Sequence, residues 1–315
     1  MPSRRVPANP ESIRRKVAAL IKNFEAELRS GELRAKVLAL VPVFKSLRSL
    51  GKSLIVARDV SSARDRILYY LRKHPKTIIN GDELLVVSGI QDYPRRVREL
   101  RVQFGWAITS GVTVNEIREA EDDDLPKDLQ TMKPSDYILL DVRQDRDAAH
   151  RWHLANTIRR ERASVHDKVL KFLRANVGRA VTGEELRYVA GNKTEWARRV
   201  RELRTERGWP VATKTTGRPD LAVGVYVLQA DRQSAEHDRH IKDDVRREVL
   251  RRDGYTCKGC GWSQKEWNPA DPRHLELHHV THHARGGQNV KENLRALCNV
   301  CHDRAHRTER VNADK

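Results

Sequence analysis

The sequence predicts a mainly α chain with small β-hairpins, an α+β protein built from several domains. Three observations carry this: a helical hairpin pattern at the start, an internal repeat through the middle, and two CxxC pairs around a histidine-rich strand at the end. At 315 residues the chain suits several ordinary domains better than one core. The expected boundaries are a helical N-terminal region at 1–60, a first module at 61–142, a linker at 143–164, a second module at 165–230, a linker at 231–244 and a C-terminal domain at 245–315.

The first region reads as helices from Glu11 to about Arg29 and from Glu32 to about Leu50, parted by Ser30-Gly31. Val17, Leu20, Ile21 and Phe24, then Val37, Leu40, Val41 and Phe44, recur at helical spacing. Neither helix is long or apolar enough to span a bilayer, so no membrane is expected as partner. A hairpin packed on the first module is the expectation; a dimerisation element is the alternative.

The repeat aligns Arg64-Asp-Arg-Ile-Leu-Tyr-Tyr-Leu-Arg72 with His166-Asp-Lys-Val-Leu-Lys-Phe-Leu-Arg174, and Gly81-Asp-Glu-Leu84 with Gly183-Glu-Glu-Leu186. After one inserted residue, Arg95-Arg-Val-Arg-Glu-Leu-Arg101 matches Arg198-Arg-Val-Arg-Glu-Leu-Arg204, and Gly105-Trp106 matches Gly208-Trp209. Each copy reads as helix, short helix, arginine-rich helix and a Gly-Trp turn into a hairpin. The closing strands are expected at Trp106 to Ile108 with Tyr137 to Leu139, and at Pro210-Val211 with Tyr226 to Leu228. Val97 and Leu100 anchor the third helix, and Trp106 and Trp209 read as core residues. This order resembles winged helix-turn-helix domains, which implies a third helix in the DNA major groove and a hairpin wing on the backbone.

Net charge is +18, with 61 lysines and arginines, the footprint of a protein that neutralises many phosphates. Double-stranded DNA is the expected partner. Arg95, Arg96 and Arg98 or Arg101, and their equivalents Arg198, Arg199, Arg201 and Arg204, project outward as DNA contacts, unless Glu99 and Glu202 absorb them in a solvated face. Gln91 and Tyr93, and Lys193 and Thr194, stand where the third helix begins and side chains reach base edges. The first wing carries Glu116, Glu119 and Glu121-Asp-Asp-Asp124, which phosphate would repel, so it faces away or packs on a basic neighbour. The second wing, with Lys214 and Arg218, reads as a groove or backbone contact, and the basic stretches at 143–165 and 231–248 link the modules and read as exposed helices.

All four cysteines lie in two pairs, Cys257 with Cys260 and Cys298 with Cys301, a spacing suited to one tetrahedral structural zinc. Two disulfides in a secreted chain are the less favoured alternative, because no signal peptide precedes the chain; a cytoplasmic setting is expected. His278 and His279 sit in the apolar alternation Leu275, Leu277, Val280, so they point to opposite faces of a strand and have different tasks. His302 and His306 share a helix face. His274 reads as a surface residue, and His282 and His283 as solvated or phosphate contacts.

With its Gly286-Gly287 turn and Asn293-Leu294 step, the stretch from Arg251 to His306 resembles the zinc-stapled HNH, or ββα-metal, endonucleases. The resemblance implies that His279 is the general base, that Asn293 orients that imidazole or its loop or contacts the metal, and that His278, His302 and His306 hold one divalent cation. That cation would be Mg2+ or a transition ion such as Mn2+. The implied function is a site-specific DNA endonuclease of restriction type, bacterial or phage-encoded, acting as a homodimer. A mobile-element or homing-type HNH nuclease and a DNA-binding regulator with a degenerate nuclease domain are the rival readings.

Overall fold

The computed structural model describes residues 9–29, 32–57, 59–120, 125–234, 240–268, 270–271, 273–281 and 286–313. The Ser30-Gly31 break, the acidic run Glu121 to Asp124, and His282 and His283 lie outside them. The chain is mainly helical with small antiparallel sheets and divides into two compact units, 1–110 with 135–149 and 111–134 with 150–315. Among the described residues no helix is long and apolar enough to cross a membrane.

Unit 1 opens with α1 (Pro10–Arg29) and α2 (Leu33–Ser53), packed together through the half-buried stripe Ile13, Val17, Leu20 and Phe24. The C-terminal half of α2 lies on α4 (Gly81–Ser88); a Cβ on Gly51 would stand 2.3 Å from the Val86 carbonyl oxygen, so only glycine permits that approach. Helix α3 (Ala63–Lys73) begins at a capping box in which the Ser62 hydroxyl accepts from the Asp65 amide and the Asp65 carboxylate accepts from the Ser62 amide. Asn80 and Glu83 repeat that device at α4, and Pro94 occupies the first turn of α5 (Tyr93–Val102). Strand β1 (Ile108–Ser110) pairs antiparallel with β2 (Tyr137–Leu139), whose other edge bridges Ile79. Ile67, Leu71, Leu84, Val97, Leu100, Ile108 and Leu139 close one core. The Arg66 guanidinium, buried between α3 and α4, donates to the carbonyls of Val87 and Ser88, which satisfies an otherwise costly buried charge.

The second copy builds the same arrangement in unit 2: α8 (Val165–Arg174), β3 (Val181–Thr182), α9 (Gly183–Val189), α10 (Trp196–Thr205), β4 (Val211–Ala212) and β5 (Val225–Leu228), with sheet order β3-β5-β4. Ser164 and Thr182 cap α8 and α9 as Ser62 and Asn80 cap their counterparts. Val169, Phe172, Leu186, Trp196, Val200, Leu203 and Tyr226 form its core.

Two further helices join this core. Helix α6 (Gly111–Ala120) comes from the segment expected as the first copy's wing. Its Ile117 and Ala120 enter the second core, and the Glu116 carboxylate accepts from Trp196 Nε1 and Arg187 Nε, both at 2.7 Å. The acidic segment therefore packs on a basic neighbour through Glu116. Helix α7 (Ala148–Arg159) is a helix where an exposed one was expected, but it is not exposed: Trp152, Ala155 and Ile158 are buried, and Arg151 pairs with Glu185 at 2.8 Å in the interior. Their i, i+3, i+6 spacing is a helical stripe that the flanking arginines and histidines obscure in the sequence.

The C-terminal part runs through α11 (Asp243–Arg252), β6 (Leu275–His279), β7 (Leu294–Cys298) and α12 (Asn299–Ala313). Strands β6 and β7 are antiparallel, with Leu275 opposite Cys298 and His279 opposite Leu294. Val249, Leu250, Trp262, Leu277, Leu294 and Leu297 form the core beneath them. Within unit 2, Arg204 of α10, expected to project outward, instead forms a buried bidentate pair with Asp243 of α11, its Nε 2.8 Å from Oδ1. Burial alone would raise the Asp243 carboxyl, but the adjacent guanidinium holds it below the usual range.

Candidate metal centre

Cys257 and Cys260 follow α11, Cys298 ends β7 and Cys301 lies in the first turn of α12, so a loop, a strand and a helix end bring four thiols together. Their sulfurs all lie within 4.8 Å of one another, and Cys260 Sγ is 3.8 Å from Cys298 Sγ. Thiolates 2.3 Å from a tetrahedral zinc stand about 3.8 Å apart, so the set fits that ion. The Gly259 and Cys301 amides donate to Cys257 Sγ and Cys298 Sγ, at 3.3 and 3.5 Å. Burial opposes ionisation of Cys257, yet backbone donors from Cys298, Cys260 and Gly259 outweigh it and bring the thiol down to about 7.

A second cluster is made of imidazoles. His278 of β6 meets His302 and His306 of α12, their candidate ligand nitrogens within 4.8 Å of one another and the Nε2 atoms of His302 and His306 3.1 Å apart. The alternation of β6 explains what surrounds them, since His274, Glu276 and His278 fall on one face. Glu276 accepts from His302 Nδ1 at 2.8 Å and from His274 Nε2 at 3.1 Å, while Arg232 stands 3.5 Å away and also pairs with Asp303. Burial would raise the Glu276 carboxyl, but the bonds from His274 and His302 hold it far below the usual carboxylate range. A proton fixed on His302 Nδ1 leaves Nε2 as the ligand atom, the arrangement in which a carboxylate orients a metal-binding histidine. Three imidazoles in this spacing suit a divalent transition ion. His274, expected at the surface, is buried and spent on Glu276.

His279 points the other way from β6. Its Nε2 lies 2.6 Å from Asn289 Oδ1, which holds the proton on Nε2 and places the basic lone pair on Nδ1. Asn293 does not touch that ring. Its Oδ1 accepts from the Thr281 amide at 2.7 Å, and its Nδ2 donates to the carbonyls of Thr281 and Gln288, both at 3.0 Å. Of the roles expected for Asn293, these contacts match bracing of the loop, while Asn289, which sequence reasoning missed, holds the imidazole. Gly287 closes the same loop so tightly that a Cβ would fall 1.8 Å from the Thr281 carbonyl oxygen and 2.8 Å from Asn293 Nδ2.

The basic candidates are disposed unevenly. In unit 1 Gln91 and Arg95 are exposed, Tyr93 is half-buried with its ring edge on Tyr137, and Arg96 donates to Glu99 at 2.6 Å. In unit 2 Lys193, Thr194 and Lys214 are exposed, whereas Arg198 and Arg199 bond Glu202 at 3.0 and 2.8 Å and share it with His166. Arg218 is buried, paired with Asp220 and stacked 4.2 Å over the Trp267 ring, which removes its guanidinium from any surface a duplex touches. Trp106 is buried in the first core and Trp209 packs against the second.

The HNH endonuclease family model matches residues 257–308, and the KpnI N-terminal domain model matches residues 64–140 and 166–229. No curated protein and no solved structure gives a significant match. The two KpnI segments coincide with the two repeat copies. The chain carries an HNH endonuclease domain and is a nuclease, a phosphodiester hydrolase.

Proposed function

We propose that this chain is a restriction-type endonuclease that cuts double-stranded DNA at sites chosen by its two repeat modules. The observation that carries the reading is the division of labour on β6: a trio of imidazoles gathered on one face, and on the other His279 with its basic nitrogen fixed by Asn289. His278, His302 and His306 would hold one divalent cation, Mg2+ or a transition ion such as Mn2+. When bound, the cation supplies stabilisation of the charge that develops on the scissile phosphate and the leaving 3′-oxygen. His279 Nδ1 takes the proton from the attacking water. Asn293 and Gly287 hold the loop that follows His279, and the four cysteines hold a structural zinc that ties β7, α12 and the loop after α11 together.

The modules supply the choice of site. Their element order and strand order support a winged-helix reading, in which α5 and α10 lie in the major groove and Gln91, Tyr93, Lys193 and Thr194 approach base edges. Of the four arginines along those helices, Arg96, Arg198 and Arg199 are engaged by Glu99 and Glu202, and exposed Arg95 is the one that serves phosphate in this reading. One HNH site cuts one strand, so cleavage of both strands calls for two copies of the chain or two successive events.

Sequencing the ends left by the purified protein on methylated and unmethylated genomic DNA, with the divalent ion titrated, tests the reading. A shared sequence at the ends supports it, and ends scattered without a common motif defeat the site-specific part. His279→Ala abolishes cleavage while binding in a gel-shift assay stays within about threefold, and Cys257→Ser releases zinc and unfolds the C-terminal domain. Appreciable cutting by His279→Ala would remove the base assignment.

A further inference from the structure

We propose that Arg295 is a further catalytic residue of the nuclease, a cation that grips a non-bridging oxygen of the scissile phosphate from beside the metal. The proposal rests on the reading of His278, His302 and His306 as holders of a divalent cation, and adds a second positive group to that site. Strands β6 and β7 pair so that Arg295 lies directly across from His278. Residues directly opposite in an antiparallel pair leave the sheet on the same face, with Cβ atoms about 5 Å apart. Arg295 therefore projects on the face where His302 and His306 meet His278, while Leu294 and Ala296 project on the other. His278 is 1% exposed, whereas Arg295 is exposed. The ligand is sheltered, and the guanidinium beside it reaches the solvent from which a nucleotide strand must come.

The surrounding charges point to an anion. Arg232, Arg252 and Arg273 are each held by an aspartate, Asp303, Asp253 and Asp271. The Arg295 guanidinium has no hydrogen bond or ion pair among the described residues. Glu276, the carboxylate of its own face, is taken by His274, His302 and Arg232. A divalent cation on three neutral imidazoles would thus stand close to a second positive charge with no free carboxylate to offset them, an arrangement that repels. A phosphodiester reverses the balance, because its non-bridging oxygens ligate the ion and accept from the guanidinium fork. As water attacks, its oxygen bonds to phosphorus, its proton goes to His279 Nδ1, and the electron pair of the broken P–O bond goes to the leaving 3′-oxygen. Arg295 neither gives nor takes a proton. Negative charge grows on the oxygens it holds, so its bonds strengthen in the transition state.

The test is single-turnover cleavage of a DNA fragment spanning one cleavage site, with the full-length zinc-loaded protein in excess and Mn2+ saturating. Arg295→Ala lowers the rate about 100-fold. Its melting temperature stays unchanged, because the side chain is exposed, and its Mn2+ affinity without DNA is equal to that of the wild type or slightly tighter. Arg295→Lys recovers part of the rate, and millimolar guanidinium ion speeds Arg295→Ala but not the wild type. Thymidine 5′-monophosphate, titrated into the Mn2+-loaded protein, reads the same contact without cleavage, and Arg295→Ala binds it about tenfold more weakly. A rate within about threefold of the wild type, a rate loss matched by an equal loss of Mn2+ affinity, or equal binding of the monophosphate overturns the proposal. A wild type that takes up no Mn2+ beyond its zinc instead defeats the imidazole trio as the metal site, so the two failures are told apart.

Discussion

The two repeat copies share one internal design and differ in what surrounds it. Each has a capped first helix, a boxed second helix, an arginine-rich third helix anchored by valine and leucine, and a small antiparallel sheet. The first copy's core is closed by residues of the copy itself, whereas the second copy's core also takes Ile117 of α6 and Ala155 and Ile158 of α7. The second copy lies whole in the unit of the HNH domain and meets it through Arg204 on Asp243 and Arg218 over Trp267. The module is the same in both copies, and one of them supports the nuclease domain. The arginines conserved between the copies in this sequence are therefore not equivalent: Arg204 is structural because an acidic helix start meets it.

The largest effect should come from that pair. Arg204→Ala removes the hydrogen-bonded partner of buried Asp243, leaving it only the coulombic pull of Arg246 and Arg247, and costs about 3–5 kcal/mol. Hydrogen exchange should show α10 and α11 losing protection while α3, α4 and α5 keep theirs. Loss spread equally over both units would break the contrast drawn here.

Next in size are the two anchoring leucines. Leu100→Ala and Leu203→Ala each remove a fully buried side chain from matching cores, and each should cost about 2–5 kcal/mol in denaturant unfolding. Agreement within about 1 kcal/mol sharpens the claim that the interiors are alike. A much cheaper Leu100 would mean that the first copy is the looser of the two.

The support reaches the metal site through Glu276. Glu276→Gln removes the charge that orients His302 and should weaken Mn2+ binding by calorimetry about 10- to 100-fold, with the zinc content of the four-cysteine site unchanged. Arg232→Ala, whose side chain is half exposed, should change Mn2+ affinity by less than about fivefold. An unchanged affinity in Glu276→Gln would remove Glu276 from the metal site's architecture.

Much of this was legible because it is written in covalent spacing. Two CxxC pairs, consecutive histidines in an apolar alternation, and histidines four apart on a helix fix which faces the ligands occupy. The repeat likewise fixes helix order. Glu276 and His274 left a signal that went unread: polar residues at i, i+2 and i+4 of an apolar strand share a face with His278. Asn289 left none, since its approach to His279 depends on the path of a glycine loop. Helix α6 was hidden because Ile117 and Ala120 face a core built from residues 155 to 228, further along the chain, while the acidic run after them reads as an open wing. The burial of Arg218 was also tertiary, set by a tryptophan in another domain.

The smallest predicted effects separate the two modules from each other. The third helices begin with different residues on matching scaffolds, Gln91 in one and Lys193 in the other, both exposed. If each module reads its own part of a site, Gln91→Ala and Lys193→Ala should each cost about 1–3 kcal/mol on the cognate sequence and relax selectivity at different base positions. Competition against a randomised site library measures both. Lys214→Ala, a backbone contact in this reading, should weaken all sequences alike and lower the slope of log affinity against log salt by about one. Relaxation at the same position by both substitutions would show that the copies read one half-site together, and the division of recognition between them would have to be abandoned.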